Sequence, residues 1–186
     1  ETRFDEDALR MLRAIRISVE LEFTIDPKTQ EAIATHASHL KEIAPERIRD
    51  EFIRIIQSSK PYIGLILSHK LGMLKYIVPE LEEGIGVAQN KAHSFDVFEH
   101  ILRTVAHAAK KDFTLETRLA ALFNDIGKPA TRRWSDEKKD WTFYGHDVVG
   151  AKIAAKALAR LAFPKKTIES VTKLVRWHMF FSDTEQ

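Results

Sequence analysis

Apolar residues recur every three or four positions along almost the whole chain, the spacing of amphipathic helices around a shared core. Leu9, Leu12, Ile15 and Val19 share one face of a segment that Asp5 opens as an N-cap, which predicts a helix over 5–21. Asp26-Pro27 opens a second helix and Pro45 a third, since a first turn has no use for the missing proline N–H. In the third, Ile48, Phe52, Ile55 and Ile56 face inward. Pro61 and Gly72 divide two shorter apolar helices that end near 79–81. Four more helices are predicted over 96–110, 115–126, 148–161 and 165–180. Between 131 and 144 the pattern changes to alternating aromatic and polar residues around Asp136-Glu137-Lys138-Lys139, either a small hairpin or a loop. The predicted class is all-α, a two-lobed helical array. One lobe covers 1–81 and the other 93–186, joined by a Gly-containing, polar, aperiodic linker over 82–92.

Composition narrows the class without deciding it. With 44% hydrophobic and 30% charged residues in 186, the chain has the balance of a folded globular protein. Zero cysteines exclude disulfides and thiolate metal sites. No apolar run is long enough to span a bilayer and no signal peptide is visible, so we expect no membrane partner and a cytoplasmic location. A formal net charge of +2 leaves any nucleic-acid contact to a local patch. The chain opens on Glu1-Thr2-Arg3-Phe4 without an initiator Met and reads as a piece of something longer.

The most informative string is Phe123-Asn124-Asp125-Ile126-Gly127-Lys128-Pro129. With His for Asn124 it would read H-D-I-G-K-P, the centre of a metal phosphohydrolase site. His100, His146 and His178 supply further candidate ligands. Imidazoles and a carboxylate suit zinc, manganese, iron or nickel, and such an ion makes bound water acidic enough to attack a phosphodiester. Asn124 offers only a neutral carbonyl oxygen, poor for those metals though tolerable for magnesium or calcium. The plainer alternative stays open: His100, Thr104 and His107 share a helix face by ordinary spacing, and Asp125 can serve as a cap for the turn at Gly127.

Two longer strings carry a resemblance. Arg3-Phe4-Asp5-Glu6-Asp7-Ala8-Leu9-Arg10-Met11-Leu12-Arg13-Ala14-Ile15-Arg16 resembles the neck of the bacterial class II tRNA nucleotidyltransferase and poly(A) polymerase family. Ile43-Ala44-Pro45-Glu46-Arg47-Ile48-Arg49-Asp50-Glu51-Phe52 is similar to that family's body domain, and Phe143-Tyr144-Gly145-His146 fits an HD domain following it. The resemblance implies a protein that adds CCA, part of it, or adenylate tails to RNA 3′ ends, with the tRNA acceptor end, CTP and ATP as partners. It also implies a catalytic head, with its Mg²⁺ and nucleotidyl-transfer carboxylates, lying outside this chain. No catalytic carboxylate is therefore assigned here, and the chain alone is expected to be inactive in transfer. The HD part implies a divalent ion, Mg, Mn, Ni or Zn, at His100, Asn124, Asp125, His146 and His178. A metal phosphohydrolase, lapsed through Asn124, is the alternative function.

By the same resemblance Asp7 and Arg10 read the incoming base. A carboxylate only accepts hydrogen bonds and a guanidinium only donates. Cytosine and adenine both present an amino donor beside a ring-nitrogen acceptor, and uracil and guanine present the reverse. A mismatched base would leave buried groups unpaired at ~1–3 kcal/mol each. The residues alone equally allow an ordinary helix start with a Glu6–Arg10 pair. Arg3, Arg13 and Arg16 are candidate RNA or triphosphate contacts, and Lys128 begins a second basic stretch able to hold a phosphate. Whether the parent adds CCA, CC, A or a longer tail is not written in these residues.

Overall fold

The computed structural model describes residues 2–90 and 94–181, with side chains from Phe4 onward and as far as Met179. The described residues are all-α apart from one hairpin. Its helices are α1 (Thr2–Glu6), α2 (Leu9–Glu20), α3 (Pro27–His36), α4 (Pro45–Gln57), α5 (Pro61–Lys70) and α6 (Leu74–Ile77). After these come α7 (Val97–Lys110), α8 (Leu115–Phe123), α9 (Lys128–Thr131), α10 (His146–Arg160) and α11 (Lys165–Trp177). Short 3₁₀ turns occupy Ala37–Glu42, Pro79–Gly84 and His178–Phe181. The ambiguous segment between α9 and α10 is a hairpin, with β1 (Arg133–Ser135) antiparallel to β2 (Asp140–Thr142) and Trp134 opposite Trp141.

Local chemistry explains where the helices start and stop. Asp26, Asp96 and Thr114 cap α3, α7 and α8 by accepting from the backbone N–H three residues on. The helix expected over 5–21 is two helices, because the Asp7 side chain accepts from the Leu9 N–H at 3.1 Å and turns the chain there. The helix expected over 115–126 ends at Phe123, and the one expected to reach 180 ends at Trp177, leaving Asn124, Asp125 and His178 on tight turns beyond helix ends.

One hydrophobic core runs through the whole fold, from Leu12, Ile15 and Phe52 to Phe123, Ala154 and Val175. The stretch 81–90 lies against it, with Leu81, Gly84 and Gln89 buried and the Asp96 carboxylate accepting from the Gly86 N–H at 2.8 Å. Polar ties lock distant helices together. Buried Arg118 on α8 donates to the carbonyls of Ile56 and Ser58, at 3.2 and 2.9 Å, satisfying the open C-terminus of α4. Arg160 clamps Glu80 through two hydrogen bonds of 2.7 and 2.8 Å. Glu51 on α4, itself buried, accepts from Arg13 at 2.8 Å and Arg16 at 2.6 Å on α2.

The contact that positions the site is made by backbone alone. A methyl at Gly127 would lie 2.2 Å from the His146 carbonyl oxygen and 2.7 Å from the Gly150 nitrogen. The turn after α8 therefore rests flush on the first turn of α10, and no residue with a β-carbon fits there. A methyl at Gly150 would meet nothing nearer than 3.4 Å. We predict that Gly127→Ala lowers unfolding free energy by about 1–3 kcal/mol through overpacking. Gly150→Ala should stay within about 1 kcal/mol of the parent, because the helix propensity of Ala offsets ordinary contacts. Urea denaturation of the two variants beside the parent checks this.

Candidate functional site

Three side chains from separate helix ends converge on one cavity. Asp125 sits on the turn after α8 and is 4% exposed. His146 is the first residue of α10, launched by Gly145 in the left-handed region at φ 76°, where glycine pays no steric penalty. His178 follows α11 directly. The Nδ1 of His146 lies 2.7 Å from the Phe143 carbonyl, and that of His178 lies 2.7 Å from the Val175 carbonyl. A carbonyl only accepts, so both rings carry their proton on Nδ1 and present Nε2 as a lone pair. Those two Nε2 atoms face each other at 3.3 Å, and the Asp125 Oδ1 lies 3.5 Å from His146 Nε2. Two lone pairs and a carboxylate at such range repel one another unless a cation or a shared proton lies between them. Ligand atoms of all three residues fall within 4.8 Å of one another. The donor set fits a divalent metal.

The other carboxylate oxygen of Asp125 is held from outside the cluster. Its Oδ2 lies 3.0 Å from His100 Nε2 on α7 and 3.1 Å from the Lys128 ammonium, which also donates to Gln89 Oε1 at 2.7 Å. His100 thus orients Asp125, and buried Lys128 neutralises it. Asn124 lines the same cavity, and its Oδ1 is buried without a hydrogen-bond partner. An orphaned amide oxygen beside two imidazoles and a carboxylate is one more acceptor for a cation. The cavity holds about 620 Å³, and Lys138, Trp141 and Tyr144 of the hairpin region also line it. A second, more apolar groove of about 930 Å³ opens between α7, α8 and α11, meeting the first at Asn124 and His178.

Burial pushes the Asp125 carboxyl up, but the His100 hydrogen bond and the Lys128 charge outweigh it and hold the pKa at about 2. Burial, with His178 and Lys128 nearby, lowers the pKa of His146 against the pull of the Phe143 carbonyl and Asp125. Both shifts favour the protonation states a metal needs, an ionised carboxylate and a neutral ring.

At the neck, Asp7 and Arg10 each hold a different partner. The Asp7 Oδ2 accepts from Arg47 at 2.9 Å, and Arg10 donates to Glu6 at 2.8 Å across one helical turn. Burial pushes the Asp7 carboxyl up, yet Arg47, the Leu9 N–H and the Arg13 charge together keep it below the ordinary carboxylate value. A cavity of about 300 Å³ opens beside Asp7, lined also by Glu6, His39, Glu42 and Arg47. Arg13 pairs with Glu51, and Arg16 is buried between Glu51 and Glu20, at 2.6 Å from each. Lys128 is buried too. The side chain of Arg3 lies outside the described residues. Sequence reasoning missed Gln89, which sits in an aperiodic stretch, and the hairpin wall of the cavity, whose alternating Trp and Lys residues were the available signal. It had Arg47 only within the body-domain string, not as the partner of Asp7.

Residues 22–85 match the family model described as "Probable RNA and SrmB- binding site of polymerase A", and residues 97–186 match the HD domain model. The chain is 40% identical over 186 residues to the CC-adding tRNA nucleotidyltransferase of Thermus thermophilus, covering 96% of this chain and 43% of that protein. It is 35% identical over 186 residues to the A-adding tRNA nucleotidyltransferase of Deinococcus radiodurans, with the same coverages of 96% and 43%. Against the multifunctional CCA protein of Nitrosomonas europaea the identity is 28% over 181 residues, covering 94% of this chain and 42% of that protein. The chain spans less than half the length of these relatives. Among the described residues no helix is long and apolar enough to cross a membrane.

The pKa shifts set an acid profile for the metal-free chain. His146 resists protonation when folded, so stability should fall as pH drops below its ordinary value of 6.5, where only the unfolded ring takes up a proton. Asp125 is depressed from 3.8 to about 2, so its contribution is complete above pH 3.8 and is lost as pH falls through about 2. That second loss amounts to about 2 kcal/mol. Urea midpoints measured in chelator across this range should show both declines, and Asp125→Asn should abolish the lower one.

Proposed function

Because this chain belongs to the CCA-adding tRNA nucleotidyltransferase and poly(A) polymerase family, we propose that it is the RNA-holding portion of an enzyme that adds CCA, or part of it, to tRNA 3′ ends. The observation that carries the reading is the 40% identity to a CC-adding enzyme along essentially the whole chain. In this reading α4 and its neighbours grip the tRNA acceptor end in the cytoplasm. The nucleotidyl-transfer carboxylates and their Mg²⁺ belong to a head outside these residues.

Asp7 and Arg10 would read CTP and ATP from the start of the neck. Asp7 is suited to the part because Arg47 and the Leu9 N–H keep it ionised, an acceptor at any physiological pH. The same two contacts fix its rotamer beside the small neck cavity. Arg10 would exchange its exposed partner Glu6 for a base edge, a low-cost change because surface pairs contribute only ~0–1 kcal/mol. Arg13 and Arg16 would act mainly by holding α2 against α4 through Glu51, so the neck helix presents Asp7 and Arg10 in a fixed place.

Convergence of the His146 and His178 Nε2 atoms on Asp125 favours a second activity in the same chain, metal-dependent phosphoester hydrolysis. Imidazole donors favour nickel, zinc or manganese over magnesium there. A divalent ion so held would polarise a phosphoryl oxygen and acidify bound water. His100 would keep Asp125 oriented, and Lys128 would keep it ionised.

Fluorescence anisotropy with a tRNA lacking its 3′ CCA tests the main reading. Binding should weaken at least about tenfold between roughly 50 and 200 mM salt, as phosphate contacts require. No binding at the lower salt would overturn it. Metal content and 2′,3′-cyclic nucleotide hydrolysis, compared between the parent and Asn124→His, test the second reading. We expect the variant to bind metal more tightly and to hydrolyse the nucleotide faster; inactivity of both across divalent metals would sink it.

A further inference from the structure

None of the residues from Arg132 to Gly145 belongs to the buried core, yet this stretch carries two tryptophans and two other aromatic rings. Trp134 is 50% exposed and Tyr144 is 74% exposed, in a chain that buries most of its large apolar side chains. An isolated two-stranded hairpin is marginal in water, so keeping aromatic faces open on one calls for a reason.

The rings are interleaved with cations. Trp134 and Trp141 meet edge to face across the strands, with centroids 5.3 Å apart. The Arg132 guanidinium lies 3.6 Å over Trp141, and its Nε is buried without a hydrogen-bond partner. Lys138 donates to the Tyr144 hydroxyl at 2.7 Å and stands 5.3 Å from that ring. Its hydrogen-bond partner is thus a hydroxyl rather than a carboxylate. Open aromatic faces beside cations are what base stacking and phosphate neutralisation require.

Position completes the argument. Lys138, Trp141, Phe143 and Tyr144 line the cavity that also contains Asp125, His146 and His178. At about 620 Å³ it suits a nucleotide-sized ligand and is too small for a duplex. We propose that the β1–β2 hairpin is a stacking platform for single-stranded RNA, seating an unpaired terminal nucleotide in the cavity that holds the Asp125 cluster. The choice of RNA rests on the family reading above; the site itself rests on geometry.

The test needs no metal and no turnover. A fluorescein-labelled hexaribonucleotide is titrated with the chain in chelator, and tryptophan quenching is followed in parallel. Trp134→Ala and Tyr144→Ala should each weaken binding about tenfold, the effect of losing one stacked base. Trp134→Phe should restore most of the affinity, and Lys138→Ala should reduce the salt slope by about one. A duplex of the same sequence should compete poorly. Hexamer affinity indifferent to both Ala variants, or no hexamer binding, overturns the proposal. If the hexamer binds through the hairpin but tRNA does not bind, the acceptor-end reading fails and the hairpin stands. If tRNA binds while hexamer affinity ignores Trp134 and Tyr144, the hairpin proposal alone fails.

Discussion

The backbone contact between Gly127 and the first turn of α10 is the constraint on which the rest depends. It lets the turn after α8 lie where its carboxylate reaches His146, with the Gly127 α-carbon close against the His146 carbonyl. Around that contact every ligand is anchored by something that cannot move easily. His146 and His178 are held by carbonyls of their own local turns, and Asp125 by His100 and Lys128. The cluster is preorganised because each of its side chains is held by a hydrogen bond or ion pair from a neighbouring turn or helix.

The basic residues divide by what they touch. A row of arginines along the neck suggests a surface for phosphates, but Arg13 and Arg16 converge on one buried glutamate, and Arg118 caps a helix on the far side of the core. Buried guanidiniums paired in this way set the register of helices more than they attract ligands. Cations that line a cavity without being buried include Lys138 of the hairpin, Lys173 on α11 and Arg47 beside Asp7. Charge counted along a sequence therefore overstates the surface open to RNA.

Asn124 gives the cavity its peculiarity. An amide in place of an imidazole leaves a buried acceptor unpartnered while all the surrounding supports persist. The neutral His146, the depressed Asp125 and the facing Nε2 atoms are features of a site still arranged for a cation. The hairpin lines the same cavity, so the candidate ligand cluster and the aromatic and cationic side chains of the hairpin meet at one place in the fold.

The sequence by itself determined the helical class, the family and the residue types of the cluster. Periodicity reports which face of each helix is buried, and strings such as the neck run are long enough to be specific. It also offered His100, Asn124, Asp125, His146 and His178 as candidates, because Asn124–Pro129 is one residue away from a metal phosphohydrolase signature and histidines supply the expected ligand types. The break at Asp7 was not legible, since whether an aspartate caps the helix behind it or continues it depends on the Arg47 that fixes its side chain. Nor was the partition of arginines between core and surface, or the joining of the hairpin to the metal cavity. Those were decided by tertiary structure, because spacing along a chain encodes which side of one element faces inward, while which element it faces is set only when all the faces are packed together.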